Sequence, residues 1–230
     1  MSTKAKVITG IAAVVVVLGW AAIAFGPAFY RDVIVGPAAA DPVEEFGTLA
    51  PSTLTADELA GDWTVSDGSY AGYRVDEVLN GTDITVTART ETVAGTVTAT
   101  STEITAATID VDVASIATDE AARDQYFRTQ AINTAQYPTA TFVLTQPIAA
   151  MTVPDSGEAQ TVSATGTLTL NGVSNDVTVE ITAALDGDNA KLAGQIPITF
   201  SDFNVTAPSL GFVKVEDTGY VEFLLELAKA

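Results

Sequence analysis

Alternation is the feature that most constrains this chain. After Gly61, apolar and polar residues trade places every second position over most of the length, the period of a strand with one buried and one wet face. Trp63 and Val65 alternate with Thr64 and Ser66; Ile84, Val86 and Ala88 with Thr85, Thr87 and Arg89; Ile109, Val111 and Val113 with Asp110 and Asp112. The pattern returns in Val177, Val179, Ile181 and Ala183, then in Leu192, Gly194, Ile196, Ile198 and Phe200. It closes with Val221, Phe223, Leu225 and Leu227 set against Glu222 and Glu226. Asp67-Gly68, Asn80-Gly81, Asn171-Gly172 and the run from Asp186 to Asn189 supply turns between these stretches. The reading is all-β, with about nine or ten short strands joined mostly by hairpins and therefore antiparallel. A sandwich and a closed barrel satisfy it equally. Gly95, Gly166 and Gly194 inside strands fit barrel bends or close ligand approach, and equally simple bulges.

One stretch breaks the rhythm, T-D-E-A-A-R-D-Q-Y-F-R-T-Q-A-I-N-T-A-Q-Y-P-T-A-T-F-V-L from Thr118 to Leu144. Thr118 is the expected N-cap, and Asp119 and Glu120 suit a helix N-terminus. A second small cap at Asn133 precedes Tyr137-Pro138, where proline stops any helical turn, and the following strand sets Phe142 and Leu144 on one face. A short helical lid inserted between strands is a gate to a barrel interior. Upstream, Leu54 to Leu59 reads as a single helical turn.

The 230 residues include no cysteine and no histidine, which excludes zinc sites of the usual kind, thiol catalysis and the Ser-His-Asp mechanism as self-contained chemistries. Formal net charge is −19, and since Lys4, Lys6 and Arg31 lie near the N-terminus, the remainder is more acidic still. Such a domain repels nucleic acid and anionic lipid surfaces. Residues Val7 to Tyr30 carry no charge, and roughly 20 apolar residues cross a 30 Å hydrocarbon core. With Lys4 and Lys6 before the run, the expected arrangement is a cytoplasmic 1–6, a transmembrane helix over 7–30 and a linker over 31–60. The domain over 61–230 then lies outside the cell membrane. A cleaved signal ending near Ala38-Ala39-Ala40, leaving a secreted domain, is the alternative.

No catalytic pair emerges from the sequence. Asp110 and Asp112 share a wet strand face, and Asp186, Asp188 and Asn189 lack the spacing of a calcium loop. Arg123 and Asp124 point in different directions on a helix, so Arg123 is read as pinning the lid to the barrel rim or meeting an anionic head group. Phe127, Phe142, Phe200, Phe203 and Phe212 are core by default. They become pocket lining only if the barrel is too wide for its side chains, and an eight-stranded barrel sits at that margin.

Five segments, in order, resemble the YceI-like domain: G-D-W-T-V-S-D-G-S-Y-A-G-Y-R-V-D-E from Gly61 to Glu77; A-R-D-Q-Y-F (Ala122 to Phe127) with Y-P-T-A-T-F (Tyr137 to Phe142); G-T-L-T-L-N-G-V-S-N-D-V-T-V (Gly166 to Val179); F-S-D-F-N-V (Phe200 to Val205); and P-S-L-G-F-V (Pro208 to Val213). The resemblance spans roughly Gly61 to Ala228. It implies an extended, lipocalin-like antiparallel β-barrel of about eight strands whose apolar interior holds an isoprenoid or similar long amphiphile without catalysis, metal or cofactor. The implied lining is Phe127, Phe142, Leu144, Ile198, Phe200, Phe203, Phe212 and Phe223, with Arg123 and Tyr126 at the head group. The family often has a histidine after the Arg-Asp pair; here Tyr126 stands near that position, and its hydroxyl can donate a hydrogen bond. The acidic exterior suits a quinone or another neutral head better than a pyrophosphate. The competing expectation is a solid barrel serving as a structural or protein-interaction module of the cell envelope. Several hundred cubic ångström of apolar void discriminates the two.

Overall fold

Strand alternation is realised as a ring. The computed structural model describes residues 38–79, 81–149, 158–209 and 213–230, and the chain is described within those bounds. The transmembrane helix expected over 7–30, and Phe212, lie outside them; among the described residues no helix is long and apolar enough to cross a membrane. The strands are β1 (Gly61–Val65), β2 (Tyr70–Leu79), β3 (Thr82–Thr90), β4 (Val93–Ala99), β5 (Glu103–Asp112), β6 (Thr139–Leu144), β7 (Ile148–Ala149), β8 (Gln160–Leu170), β9 (Val173–Asp186), β10 (Asn189–Thr199) and β11 (Val213–Lys229). Eight of them close in the order β1-β4-β5-β6-β8-β9-β10-β11, with β11 returning to β1, and every pairing is antiparallel. The barrel alternative to a sandwich is thus the one the chain adopts.

The strand count differs from the sequence reading because two long strands are each broken once. β1 and β2 follow one another across the Asp67-Gly68 turn, and β3 passes to β4 at Glu91 and Thr92. β11 is long enough to serve both pieces: Trp63, Thr64 and Val65 partner its last residues, and β2 partners it from Val213 to Leu224 across a bulge between Val215 and Gly219. The β2–β3 hairpin therefore extends the wall beyond the ring, and the chain between β5 and β6 covers that end. At Asn171 and Gly172 both φ angles are positive (52° and 78°), as a two-residue hairpin turn demands.

Inward-facing residues of these strands form one apolar core, from Trp63 and Val97 through Ala164, Leu168, Val179 and Ile196 to Leu225 and Leu227. Outside the wall lies a second, smaller cluster in which Phe46 packs on Ala184, Ala193 and Leu224. It exists because residues 38–50, in the stretch read as linker, lie against the outer face of the barrel. Ala50 donates its backbone N–H to Asp186 Oδ1 (2.6 Å), and Gln195 donates to Asp41 Oδ2 (2.9 Å). The single helical turn read at Leu54–Leu59 is present as Ala56–Leu59, with a capping box between Thr55 and Glu58.

Beneath that outer segment sits Glu222, whose side chain has no exposed surface. Arg74 Nε donates to Glu222 Oε2 at 2.9 Å and Arg89 Nε to Oε1 at 2.8 Å, so both carboxylate oxygens are satisfied. Each guanidinium reaches outward as well, Arg74 Nη2 to the Ala39 carbonyl (2.8 Å) and Arg89 Nη1 to Glu45 Oε1 (2.7 Å). Removing one member of a buried ion pair strands its partner's charge, at about 3–5 kcal/mol. Glu222→Ala is expected to fall at the low end, about 3 kcal/mol in urea denaturation, because both arginines keep other partners. A loss under about 1 kcal/mol would show that this cluster does not hold the outer segment to the wall.

Candidate ligand-binding site

The chain between β5 and β6 forms the roof of the barrel interior. It begins with a tight turn at Val113–Ser115, touches β3 through two backbone hydrogen bonds between Arg89 and Ala117 (3.2 Å each), then enters a helix at Ala121–Tyr126. The N-cap is Glu120, whose carboxylate accepts from the Ala122 N–H, and not Thr118 as the sequence suggests. Thr118 is occupied elsewhere: its N–H and hydroxyl both donate to Asp124 Oδ1 at 2.8 Å. Asp124, buried, thereby ties the loop to the helix and faces away from ligand chemistry. The helix widens into a π turn over Phe127–Ala131, closed by Ile132 N–H to the Phe127 carbonyl (2.9 Å). Such turns recur at functional sites. Here it carries Phe127 inward against Tyr73, with ring centroids 4.9 Å apart.

Under this roof lies an apolar cavity of about 150 Å³, walled by Val75, Val113, Ile116, Phe127, Leu170, Ile198, Phe200 and Val215 among others. Its polar members include Tyr73, Glu77, Arg123 and Tyr126. A second void of about 90 Å³ shares Ala71, Val111, Ala140, Leu168 and Val221 with the first, and extends to Phe142 and Phe223. Beyond it a pocket of about 30 Å³ at Leu144 and Ile148 and another of about 90 Å³ at Trp63 and Leu185 share Val97 and Leu192 with the second. The voids follow one another from the roof to the opposite end of the barrel. Phe142 narrows the bore where it lies over Gly166: a Cβ there would overlap the ring, so only glycine admits it. Phe223 lies similarly over Gly194.

The structure places Phe127, Ile198, Phe200, Arg123 and Tyr126 together on the first cavity. Phe142 and Phe223 belong to the second, and Leu144 to the third. Phe203 is buried but borders a groove that opens outward between β9 and β10. Sequence reasoning passed over Glu77 and Tyr73. Both were legible: Tyr73, Val75 and Glu77 alternate along β2, so the period that turns Val75 inward turns them inward too.

The Arg123 guanidinium lies 3.7 Å from Glu77 Oε1 and 3.6 Å from Asp119 Oδ1, and among the described residues it makes no shorter side-chain contact with an acceptor. Its charge is balanced while its N–H donors stay uncommitted, since charge-assisted bonds close to about 2.7–2.9 Å. Burial pushes the Glu77 carboxyl above its ordinary value of 4.5, with the Arg123 charge opposing. Burial likewise raises the Tyr73 phenol, which therefore stays protonated and available as a donor.

Comparison with known proteins bears on this geometry. A family model described as the YceI-like domain matches residues 63–227. Protein YceI of Escherichia coli O157:H7 and its counterpart in Shigella sonnei are each 36% identical over 104 residues, covering 42% of this chain and 50% of theirs. The chain thus spans about half the length of these relatives. Among solved structures, a polyisoprenoid-binding domain from Saccharophagus degradans implicated in plant cell wall breakdown superposes with a TM-score of 0.57 at 16% identity, covering 74% of this chain and 99% of that one. BcnA of Burkholderia cenocepacia gives 0.51 at 22%, covering 67% and 95%. At these identities the two structures establish the shared barrel.

A carboxyl that holds its proton more tightly folded than unfolded costs stability as pH rises from the ordinary value through the raised one. Stability measured by urea denaturation should therefore carry a decline that starts near pH 4.5 and levels off above the folded-state value. Glu77→Gln should remove that component. A pH profile identical in the variant and the parent would contradict this account of Glu77.

Proposed function

The chain belongs to the YceI-like domain family, and on that footing we propose that its barrel binds an isoprenoid or similar long-chain amphiphile as a carrier or sequestering module, without catalysis. The observation that carries this reading is the succession of apolar voids running from Phe127 to Trp63. Each buried methylene of a prenyl chain contributes about 0.8 kcal/mol with no directional chemistry required. The name of the Saccharophagus degradans domain, whose fold this chain shares, supports the same ligand class. Arg123, Tyr126 and Tyr73 would meet the head group, as donors to a carbonyl or hydroxyl oxygen. Glu77 beside Arg123 and the −19 net charge disfavour a pyrophosphate and favour a neutral head such as a quinone.

We place the domain outside the cell membrane, held by the uncharged run from Val7 to Tyr30 behind Lys4 and Lys6. Protease added to intact cells should then digest the barrel; protection of the barrel would put it on the cytoplasmic side.

The second reading, a solid barrel acting as an envelope interaction module, draws on the Phe142 and Phe223 rings that narrow the bore. Equilibrium binding of farnesol and farnesyl pyrophosphate to the full chain separates the two. The carrier reading predicts saturable farnesol binding, weaker binding of the pyrophosphate, at least a tenfold loss with Ala140→Phe, and about a tenfold loss with Arg123→Ala. No binding of either probe would favour the solid barrel. Equal affinity after Arg123→Ala would remove this arginine from the head-group contact.

A further inference from the structure

One seam of the barrel is left open. β8 and β9 stay paired from Gln160–Ala183 to Leu170–Val173, and β10 and β11 from Ala190–Leu227 to Thr199–Thr218. β9 and β10 pair only as far as Gly194–Ile181, although β9 begins at Val173 and β10 runs to Thr199. In continued register Pro197 would face Thr178, and proline has no N–H for a ladder. The two banks diverge there around an open space of about 520 Å³, bordered by Val177 and Thr178 on one side and Pro197 and Ile198 on the other. The gap is bounded at both ends. Below it stands the Gly194–Ile181 pair; above it the turn Phe200–Phe203 crosses, and Asn175 Nδ2 donates to the Asp202 carbonyl at 2.6 Å. It is a window in the wall, not a frayed strand end.

The window adjoins the interior. Ile198 and Tyr220 border both the window and the cavity under the roof, so a single layer of side chains separates them. Axially the cavity is covered by the roof. The roof helix is bound to β2 through Arg123 and Glu77, Phe127 packs on Tyr73, and Thr206 N–H donates to the Ala131 carbonyl at 3.3 Å. Val177, Pro197, Ile198 and Phe203 give the window apolar side chains, beside the exposed carboxylates of Asp176 and Asp202.

Building on the carrier reading, we propose that the β9–β10 window is a side portal through which the hydrocarbon chain of the ligand enters and leaves the barrel, Ile198 being the side chain that must swing aside. Widening this opening speeds exchange; bridging its banks slows it. Uptake and release change by the same factor, since a route alters rates and not the equilibrium between its ends.

The chain has no cysteine, so Thr178→Cys with Pro197→Cys joins the banks specifically, through a disulfide or a short bismaleimide. The measurement is the rate at which the full chain takes up farnesol from phosphatidylcholine vesicles, and its release back, alongside the equilibrium affinity. Bridging is expected to slow both rates at least tenfold with affinity within twofold, reductant to restore the disulfide form, and Val177→Ala, which borders the window but not the cavity and needs no bridge, to speed both at least threefold. Unchanged rates in the fully bridged protein, or in Val177→Ala, at normal affinity would overturn the portal and leave the carrier reading standing. Absence of farnesol binding by the unmodified chain would overturn the carrier reading and the portal with it.

Discussion

Closure of the ring is the constraint on which everything else rests. The contact of Trp63, Thr64 and Val65 with Lys229, Ala228 and Leu227 joins the first strand to the last. An antiparallel sheet closed this way has no exposed edge along the join, and its inward faces are committed to one interior. Strand number then sets the bore, and eight strands place it at the margin between a side-chain-filled core and a single-ligand cavity. This chain uses both solutions. Rings over Gly166 and Gly194 fill the middle, and small or branched residues such as Val75, Ala140 and Val215 leave space beneath the roof.

β11 is the strand that makes the architecture hold. It pairs with β1, β2 and β10, and its two faces serve two cores. Val221, Phe223, Leu225 and Leu227 point inward. Glu222 and Leu224 point outward, where a carboxylate between two guanidiniums and a leucine under Phe46 fasten residues 38–50 to the wall. The roof uses weaker fastenings: ion pairs beyond hydrogen-bond distance at Arg123, one aromatic contact, and backbone bonds at Arg89 and Ala131.

Much of this was legible from period and turn chemistry. Alternation located the strands because a two-residue period admits one face to the core, and Asn171-Gly172 marked its hairpin because both residues must adopt positive φ. The helical insertion was legible at Thr118 to Leu144, but its cap was not: Thr118 and Glu120 are both competent, and the choice was decided by Asp124, which draws the Thr118 hydroxyl. Of the site, strand faces turned Phe142, Ile198 and Phe223 inward, whereas Phe127 sits on the π turn and Phe203 on the turn after β10, where no strand period reads. Sandwich and barrel could not be told apart locally, since closure is a contact between residues more than 160 positions apart. The outer segment escaped for a related reason. Its Phe46 and Glu45 have no periodicity of their own and acquire meaning only from Arg89 and Leu224 across the wall. The β9–β10 window is likewise a property of pairing, hinted at by Pro197 alone.

Whether the barrel interior holds a prenyl-type chain is decided by mass spectrometry of organic extracts of the purified full-length protein, set beside the Ala140→Phe variant prepared identically. A container should yield a prenyl lipid with a neutral head, near one per chain in the parent and depleted in the variant. Equal lipid in both proteins, or none in either even after incubation with quinones and polyprenols, would contradict it and leave a barrel filled by its own side chains.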